Sequence, residues 1–214
     1  GVSMSSTQSA EQLLQDMIRP YCELGSSEYP DMKKLREVLT QLSDDQKLHI
    51  LQQEYLVCGT PLRFAASSGH KEIISTLLTS LQSSAYRLNL LMVEKLDTPL
   101  HTAAFFGHTD SVKMILDCLT ADQQIQLISV RNGASMTAIQ MADVGKSVQE
   151  SEVETAIQKA ERGRHTAIVR ALREYQQRAD YLVREQQRID DEKTRQQLSG
   201  INSQPIIVAV VIIL

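Results

Sequence analysis

The side chains here that could hold a metal or act on a substrate are five histidines, three cysteines and a few acidic clusters. Their spacing limits what they can do. His101 and His108 fall in "TPLHTAAFFGH" (98–108), His70 closes "TPLRFAASSGH" (60–70), and His49 and His165 stand apart from both. A metal centre needs ligands converging on one point, whereas histidines carried by a repeated phrase are spread along the chain with it. No metal and no cofactor is expected. Cys22, Cys58 and Cys118 never form a C-x-x-C pair and have no recognisable histidine partner motif. They read as small apolar residues of a reducing compartment. "DDEK" (190–193) and the Glu- and Ser-rich stretch at 146–162 read as solvated faces rather than paired carboxylates. With no phosphate-binding loop, no G-x-S-x-G and no H-E-x-x-H, the chain is read as no enzyme and without a small-molecule substrate.

Composition agrees with a folded protein. Over 214 residues, 42% hydrophobic and 22% charged side chains are enough for a core and argue against wholesale disorder. The net charge of −4 is spread along the chain, with nothing resembling the basic groove that nucleic acid requires.

The repeated phrase explains which elements must place these residues. Thr60 and Thr98 can cap the first amides of a helix, and Pro61 and Pro99 follow where a missing N–H is harmless. Leu62, Ala65 and Ala66 then form an i, i+3, i+4 stripe, as do Leu100, Ala103 and Ala104. Gly69 and Gly107 suit the left-handed conformation that stops a helix. A second stripe follows each: Ile73, Ile74, Leu77 and Leu78, then Val112, Ile115 and Leu116. The unit is helix, tight turn, helix.

The phrase resembles the ankyrin repeat, T-P-L-H-x-A-A-x-x-G-H. The copy at 98 matches every fixed position, and the copy at 60 has Arg63 in place of His. A third, degraded copy keeps Thr137, Ala138, Ile139, Gln140 and Ala142, with its second helix resuming at 164–169. A partial unit lies upstream, where "DMKKLREVLT" (31–40) overlays "HKEIISTLLT" (70–79) and 10–21 could supply a first helix. The resemblance implies that His70, His101, His108 and His165 serve capping and turn hydrogen bonds.

The spacing departs from about 33 residues per ankyrin unit: it is 38 (60 to 98) and then 39 (98 to 137). The surplus has a pattern of its own. "LSDDQKLHIL" (42–51) and "LTADQQIQLI" (119–128) align, each with a capping box, Ser43/Gln46 and Thr120/Gln123. Leu88, Leu90 and Leu91 answer them in the middle unit. A short extra helix is expected in every unit.

The fold expected is all-α: an ankyrin-type helical repeat solenoid with a long C-terminal helix. Residues 1–30 form an N-terminal helical cap or lead-in, and 31–175 the array, divided as 31–59 (partial), 60–97, 98–136 and 137–175 with an insertion at about 146–162. Residues 176–200 form an extended charged helix and 201–214 an apolar segment. From His165 a stripe of Ile168, Leu172, Tyr175, Ala179, Leu182, Gln186 and Ile189 predicts about thirty helical residues ending near Ser199.

Stacked units bury one continuous seam and leave an extended concave surface rather than a cleft. The resemblance implies that this surface grips another protein. The expected contact residues are Phe64, Ser67 and Ser68 on one first helix and Thr102, Phe105 and Phe106 on the next. Fingers at 55–58, 94–97 and 131–135 add Tyr55, Arg131 and Asn132. Two adjacent phenylalanines cannot both face a core, so one of Phe105 and Phe106 should reach the partner. For "PIIVAVVIIL" (205–214) three readings stay open: the start of a transmembrane helix, a strand or buried tail, or a free apolar C-terminus. The first would tether the repeats on the cytoplasmic side, with Arg184, Arg188, Lys193 and Arg195 near the membrane. The Met-less start and abrupt apolar end suggest the other reading of the whole: a regulatory ankyrin domain cut from a larger membrane receptor, channel or enzyme. The expected location is cytoplasmic.

Overall fold

The computed structural model describes residues 9–23, 30–56, 58–93, 96–148 and 156–202, and the segment 205–214 lies outside them. The described residues form helices α1 (Ala10–Glu23), α2 (Met32–Thr40), α3 (Asp44–Leu51), α4 (Pro61–Ser68), α5 (Lys71–Ser80), α6 (Ser84–Met92), α7 (Pro99–Phe105), α8 (Thr109–Asp117), α9 (Ala121–Ser129), α10 (Ala138–Val148) and α11 (Ala156–Asn202). Three columns result. First helices α1, α4, α7 and α10 stack on one another, second helices α2, α5, α8 and α11 do the same, and the extra helices α3, α6 and α9 form a third column.

Local chemistry sets each boundary. Thr60 Oγ1 accepts from the Arg63 N–H at 3.2 Å, and Thr98 Oγ1 from that of His101 at 3.4 Å, each followed by its proline at the first helical position. The degraded third copy keeps this device with different atoms. Gln140 donates its N–H to Thr137 Oγ1 at 3.5 Å and accepts the Thr137 N–H on its side-chain oxygen at 2.9 Å. That capping box substitutes for the missing proline and histidine. Gly69 ends α4 at φ 70° and Gly107 follows α7 at φ 77°, where an L side chain would cost roughly 1–2 kcal/mol.

The Leu-Ala-Ala stripes are fully buried at Leu62, Ala65, Ala66, Leu100, Ala103 and Ala104. Alanine there lets neighbouring first helices approach closely. The overlay of the upstream unit holds, since Leu35 and Leu39 are as buried as Ile74 and Leu78. Leu14, Ile18, Tyr21 and Cys22 put the apolar face of α1 against this core. Each large aliphatic side chain so buried contributes about 1.5–3 kcal/mol, which no single two-helix unit could supply on both its faces.

The extra helices carry both capping boxes, on Ser43 and Thr120, and Ser83 caps α6 through the Tyr86 N–H. Their fourth residues form an unexpected brace. Lys47 Nζ donates to the Ser80 carbonyl at 2.7 Å, closing the C-terminus of α5. Arg87 donates to the Leu78, Leu81 and Cys118 carbonyls, and Gln124 to those of Leu116 and Leu119. Long polar donors thereby satisfy the orphan carbonyls at the ends of second helices.

The last helix is longer than its stripe predicts, 47 residues from Ala156. Residues 156–163 are mostly Ala, Gln, Lys, Glu and Arg, good helix formers that continue the element upstream of His165. Of the stretch expected as an insertion, α10 takes in residues to 148 and α11 those from 156, while 149–155 lie outside the described residues. Ile168, Leu172 and Ala179 are buried as expected, but Leu182 is exposed and Val183 is covered more. The helix packs on α9 and α8, and because a 3.6-residue helix falls out of step with a seven-residue repeat, the heptad spacing drifts off the contact after about two heptads.

Candidate partner-binding surface

The first-helix face and the fingers that precede it carry the expected contact residues. Phe106, at the C-cap of α7, is 52% exposed, and Phe105 beside it is half-buried. Their rings meet edge to face at 5.0 Å, and the Phe106 ring lies nearly parallel to the imidazole of His108 at 6.5 Å. Offset and edge-on contacts of this kind are the favourable ones for aromatic rings. The backbone beneath is fixed as well, because the Phe105 carbonyl accepts from His165 Nε2 at 2.7 Å. Phe106 is therefore an apolar side chain held in place while open to solvent.

That bond is one rung of a histidine ladder. His108 Nε2 donates to the Ser67 carbonyl at 2.9 Å, repeating across α4 and α7 what His165 does one unit later. His70 faces the N-terminal helix, where the Tyr21 hydroxyl meets its Nδ1 at 2.7 Å. His101 is wholly buried and touches the Val130 and Met136 carbonyls through Nε2 at 3.2 and 3.0 Å. Two carbonyl acceptors require Nε2 to carry the proton, so Nδ1 accepts from the Thr98 hydroxyl at 2.7 Å. Burial lowers the pKa of His70, His101 and His108 below the ordinary imidazole value; a nearby His108 adds to the effect on His70. Each ring thus bridges elements of the scaffold, and His101 uses both of its nitrogens to do so.

The other expected residues divide by environment. Phe64 is half-buried, with its ring 4.8 Å from that of Tyr21, so α1 covers part of it. Ser67 and Ser68 are half-buried, and Ser67 Oγ donates to the Phe64 carbonyl at 2.9 Å. Thr102 corrects the expectation: it is buried, and its hydroxyl donates to the Pro99 carbonyl at 3.0 Å. The reason is that α7 is packed between α4 and α10, which closes the position following His101.

In the first finger Tyr55 and Gly59 exchange both backbone hydrogen bonds at 2.9 Å, leaving the tip residue Leu56 fully exposed. Of the expected second finger, Glu94 lies outside the described residues; Leu96, 68% exposed, and Asp97 are described. Asn132 organises the third. Its side-chain oxygen accepts from the Ala134 and Met136 N–H groups at 3.0 and 2.9 Å, and its amide donates to Asp97 Oδ1 at 2.7 Å. The Gly133 N–H donates to the Leu96 carbonyl at 2.7 Å, tying the fingers together. Arg131 is exposed, with Nη1 on the Ser135 carbonyl at 2.7 Å. Asn132 is thus committed to the scaffold, while Arg131 presents a charge beside it. Leu56 and Leu96 were missed in the sequence; for Leu96 an isolated leucine in a polar finger was the signal available, whereas Leu56 lies in the apolar run Tyr55 to Cys58 and gave none.

On the opposite, second-helix face Arg36 pairs with Glu72 at 2.7 Å and Lys71 with Asp110 at 3.7 Å, all more than half exposed. Such pairs contribute about 0–1 kcal/mol each. A depression there is lined by Arg36, Thr40, Lys47, Thr76 and Thr79, but Lys47 is already held by Asp44 and the Ser80 carbonyl. Among the described residues no three His, Cys, Asp or Glu side chains converge as a metal site would require, and no helix is long and apolar enough to cross a membrane.

Residues 32–127 match the family model for ankyrin repeats, in three copies. The comparison with curated proteins gave no match. Ankyrin repeats are in general non-enzymatic modules that bind other proteins. Capped first helices, left-handed glycine stops, stacked columns and the matched segment together identify residues 32–127 as ankyrin repeats.

Proposed function

We propose that this protein is a cytoplasmic binding module that grips a partner protein on its first-helix face and performs no catalysis. The observation that carries the reading is Phe106, half exposed yet backed by Phe105 and His108. An aromatic ring immobilised before binding loses little rotamer freedom when a partner covers it, which is how hot-spot anchors behave. Leu56 and Leu96 on the fingers, with Arg131 beside them, extend the surface; Tyr55, Phe64, Ser67 and Ser68 shape it from below.

A photo-reactive phenylalanine analogue at position 106 tests this against the same analogue at Lys113, exposed on α8. The expected result is one discrete cross-linked protein from position 106 that Phe106→Asp in trans competition fails to displace and the wild-type chain does displace. Equal cross-linking from both positions would remove Phe106 as the anchor. Membrane tethering through 205–214 is a separate part of the proposal, supported by the run of uncharged apolar residues there. Fractionation of the full chain beside a chain ending at Ser203 tests it, since only the longer chain should sediment with membranes.

A further inference from the structure

The cleft on the second-helix face, about 370 Å³, is set between α2, α3 and α5 and falls within the roughly 300–1,000 Å³ of small-molecule sites. Two buried polar groups in its lining are left unsatisfied. Thr76 of α5 is 7% exposed, and its hydroxyl has no partner among the described residues. Its neighbour in the cleft does find one, since Thr79 Oγ1 donates to the Ser75 carbonyl at 2.7 Å. Lys47 of α3 is 4% exposed. An ammonium has three donors, and Asp44 Oδ1 at 3.1 Å and the Ser80 carbonyl at 2.7 Å take two of them. Leaving such groups unpaired in a folded chain is unfavourable. Arg36 stands at the edge of the same cleft, more than half exposed.

Charge decides what these donors suit. Among the described residues the lining carries two cations and no carboxylate. The nearest acids are engaged: Asp44 by Lys47 and by the Gln82 N–H at 2.9 Å, Glu72 by Arg36 at 2.7 Å. The ends of α2 and α5 also meet here, but their carbonyls are closed, that of Glu37 by Thr40, of Leu77 by Ser80 and of Ser80 by Lys47. We propose that this cleft binds a small soluble phosphate monoester, with Arg36, Lys47 and Thr76 donating to the phosphate oxygens. Guanidinium and ammonium groups are the strong donors to such oxygens. The organic part has complementary surfaces as well. Thr40, Thr79 and Ser80 have each given their proton to a helical carbonyl, so their oxygens accept from ligand hydroxyls, and Leu39 and Leu42 supply apolar wall.

Glycerol phosphate is titrated into the full isotope-labelled chain and followed by the amide NMR spectrum, with glycerol as the uncharged control. The expected result is saturable shifts confined to 36–47 and 76–82, and none with glycerol. Arg36→Gln should weaken binding roughly tenfold or more. Glu72→Gln releases Arg36 from its pair and should tighten binding, by up to about fivefold. Thr76→Val gives the readout that a merely structural hydroxyl would not: it should weaken binding about 2- to 10-fold while raising the melting temperature of the free chain, because an unpaired buried hydroxyl is removed. No shift up to about 10 mM, equal binding by wild-type and Arg36→Gln chains, or equal shifts with glycerol would each overturn the proposal. A Thr76→Val chain that melts lower and binds normally would do the same. Retention on phosphatidic acid vesicles that Arg36→Gln abolishes, with no glycerol phosphate bound, would overturn the soluble ligand.

Discussion

Gly69→Ala separates backbone strain from the interlock between repeats. Gly69 lies at φ 70°, so any L side chain there carries roughly 1–2 kcal/mol. An added Cβ would also stand 2.7 Å from His108 Nδ1 and 2.9 Å from its Cε1, closer than any real contact. The ring must then move, and with it the 2.9 Å bond from His108 Nε2 to the Ser67 carbonyl. Losing that bond costs about 0.5–1.5 kcal/mol. The total expected is about 1.5–3.5 kcal/mol, a large share of a domain's roughly 5–15 kcal/mol. Urea unfolding followed by circular dichroism measures it, with Gly133→Ala as the control. At Gly133 the added Cβ meets the movable end of Leu96 at 3.0 Å, and under about 1 kcal/mol is expected. The decisive variant is Gly69→Ala with His108→Ala. If the ring is what the methyl strikes, the double variant costs less than the sum by about 1 kcal/mol. Strict additivity, or a Gly69→Ala cost below about 0.5 kcal/mol, would refute the interlock.

Three further outcomes are expected. The pKa values of His70, His101 and His108 are lowered on folding, so the unfolded chain takes up protons first as the pH falls; stability is full above about pH 6.5 and declines below it. Urea midpoints at pH 7.5 and 5.5 should show the drop, and His101→Gln should shrink it. Lys47→Met removes the ammonium that holds Asp44 and closes α5, both side chains being nearly buried, and should cost about 3 kcal/mol in the same urea assay. Asn132→Ala deprives the Ala134 and Met136 N–H groups of their acceptor; hydrogen exchange at those two amides should rise at least tenfold while amides in α4 and α5 stay unchanged.

Much of the scaffold was legible because its signals are local. Thr-Pro starts, glycine stops and the Ser43 and Thr120 capping boxes each satisfy backbone groups within four residues, so their meaning survives without tertiary context. The third column followed from those boxes and from 38- and 39-residue spacings against the usual unit. What escaped needed partners distant in sequence. Thr102 looked open until α10 was packed beside α7. Tyr21 supports Phe64 and His70 from 43 and 49 positions away (21 to 64 and 21 to 70). Lys47, Arg87 and Gln124 read as surface polars, and only the ends of α5 and α8 reveal what they close. Leu182 was assigned to a heptad stripe, but it is exposed and Val183 is covered more, because a 3.6-residue helix drifts off a seven-residue repeat. Of the proposed contact surface, the sequence made legible only that one of Phe105 and Phe106 must turn outward, since adjacent residues on a helix cannot both face the core.

The claim on which function depends is that partners meet the first helices and fingers rather than the second helices. Hydrogen exchange on the full chain, alone and with the protein captured through position 106, addresses it directly. Protection confined to 55–59, 64–68, 105–108 and 131–135 is the predicted footprint. Protection running along α5 and α8 instead would contradict the account.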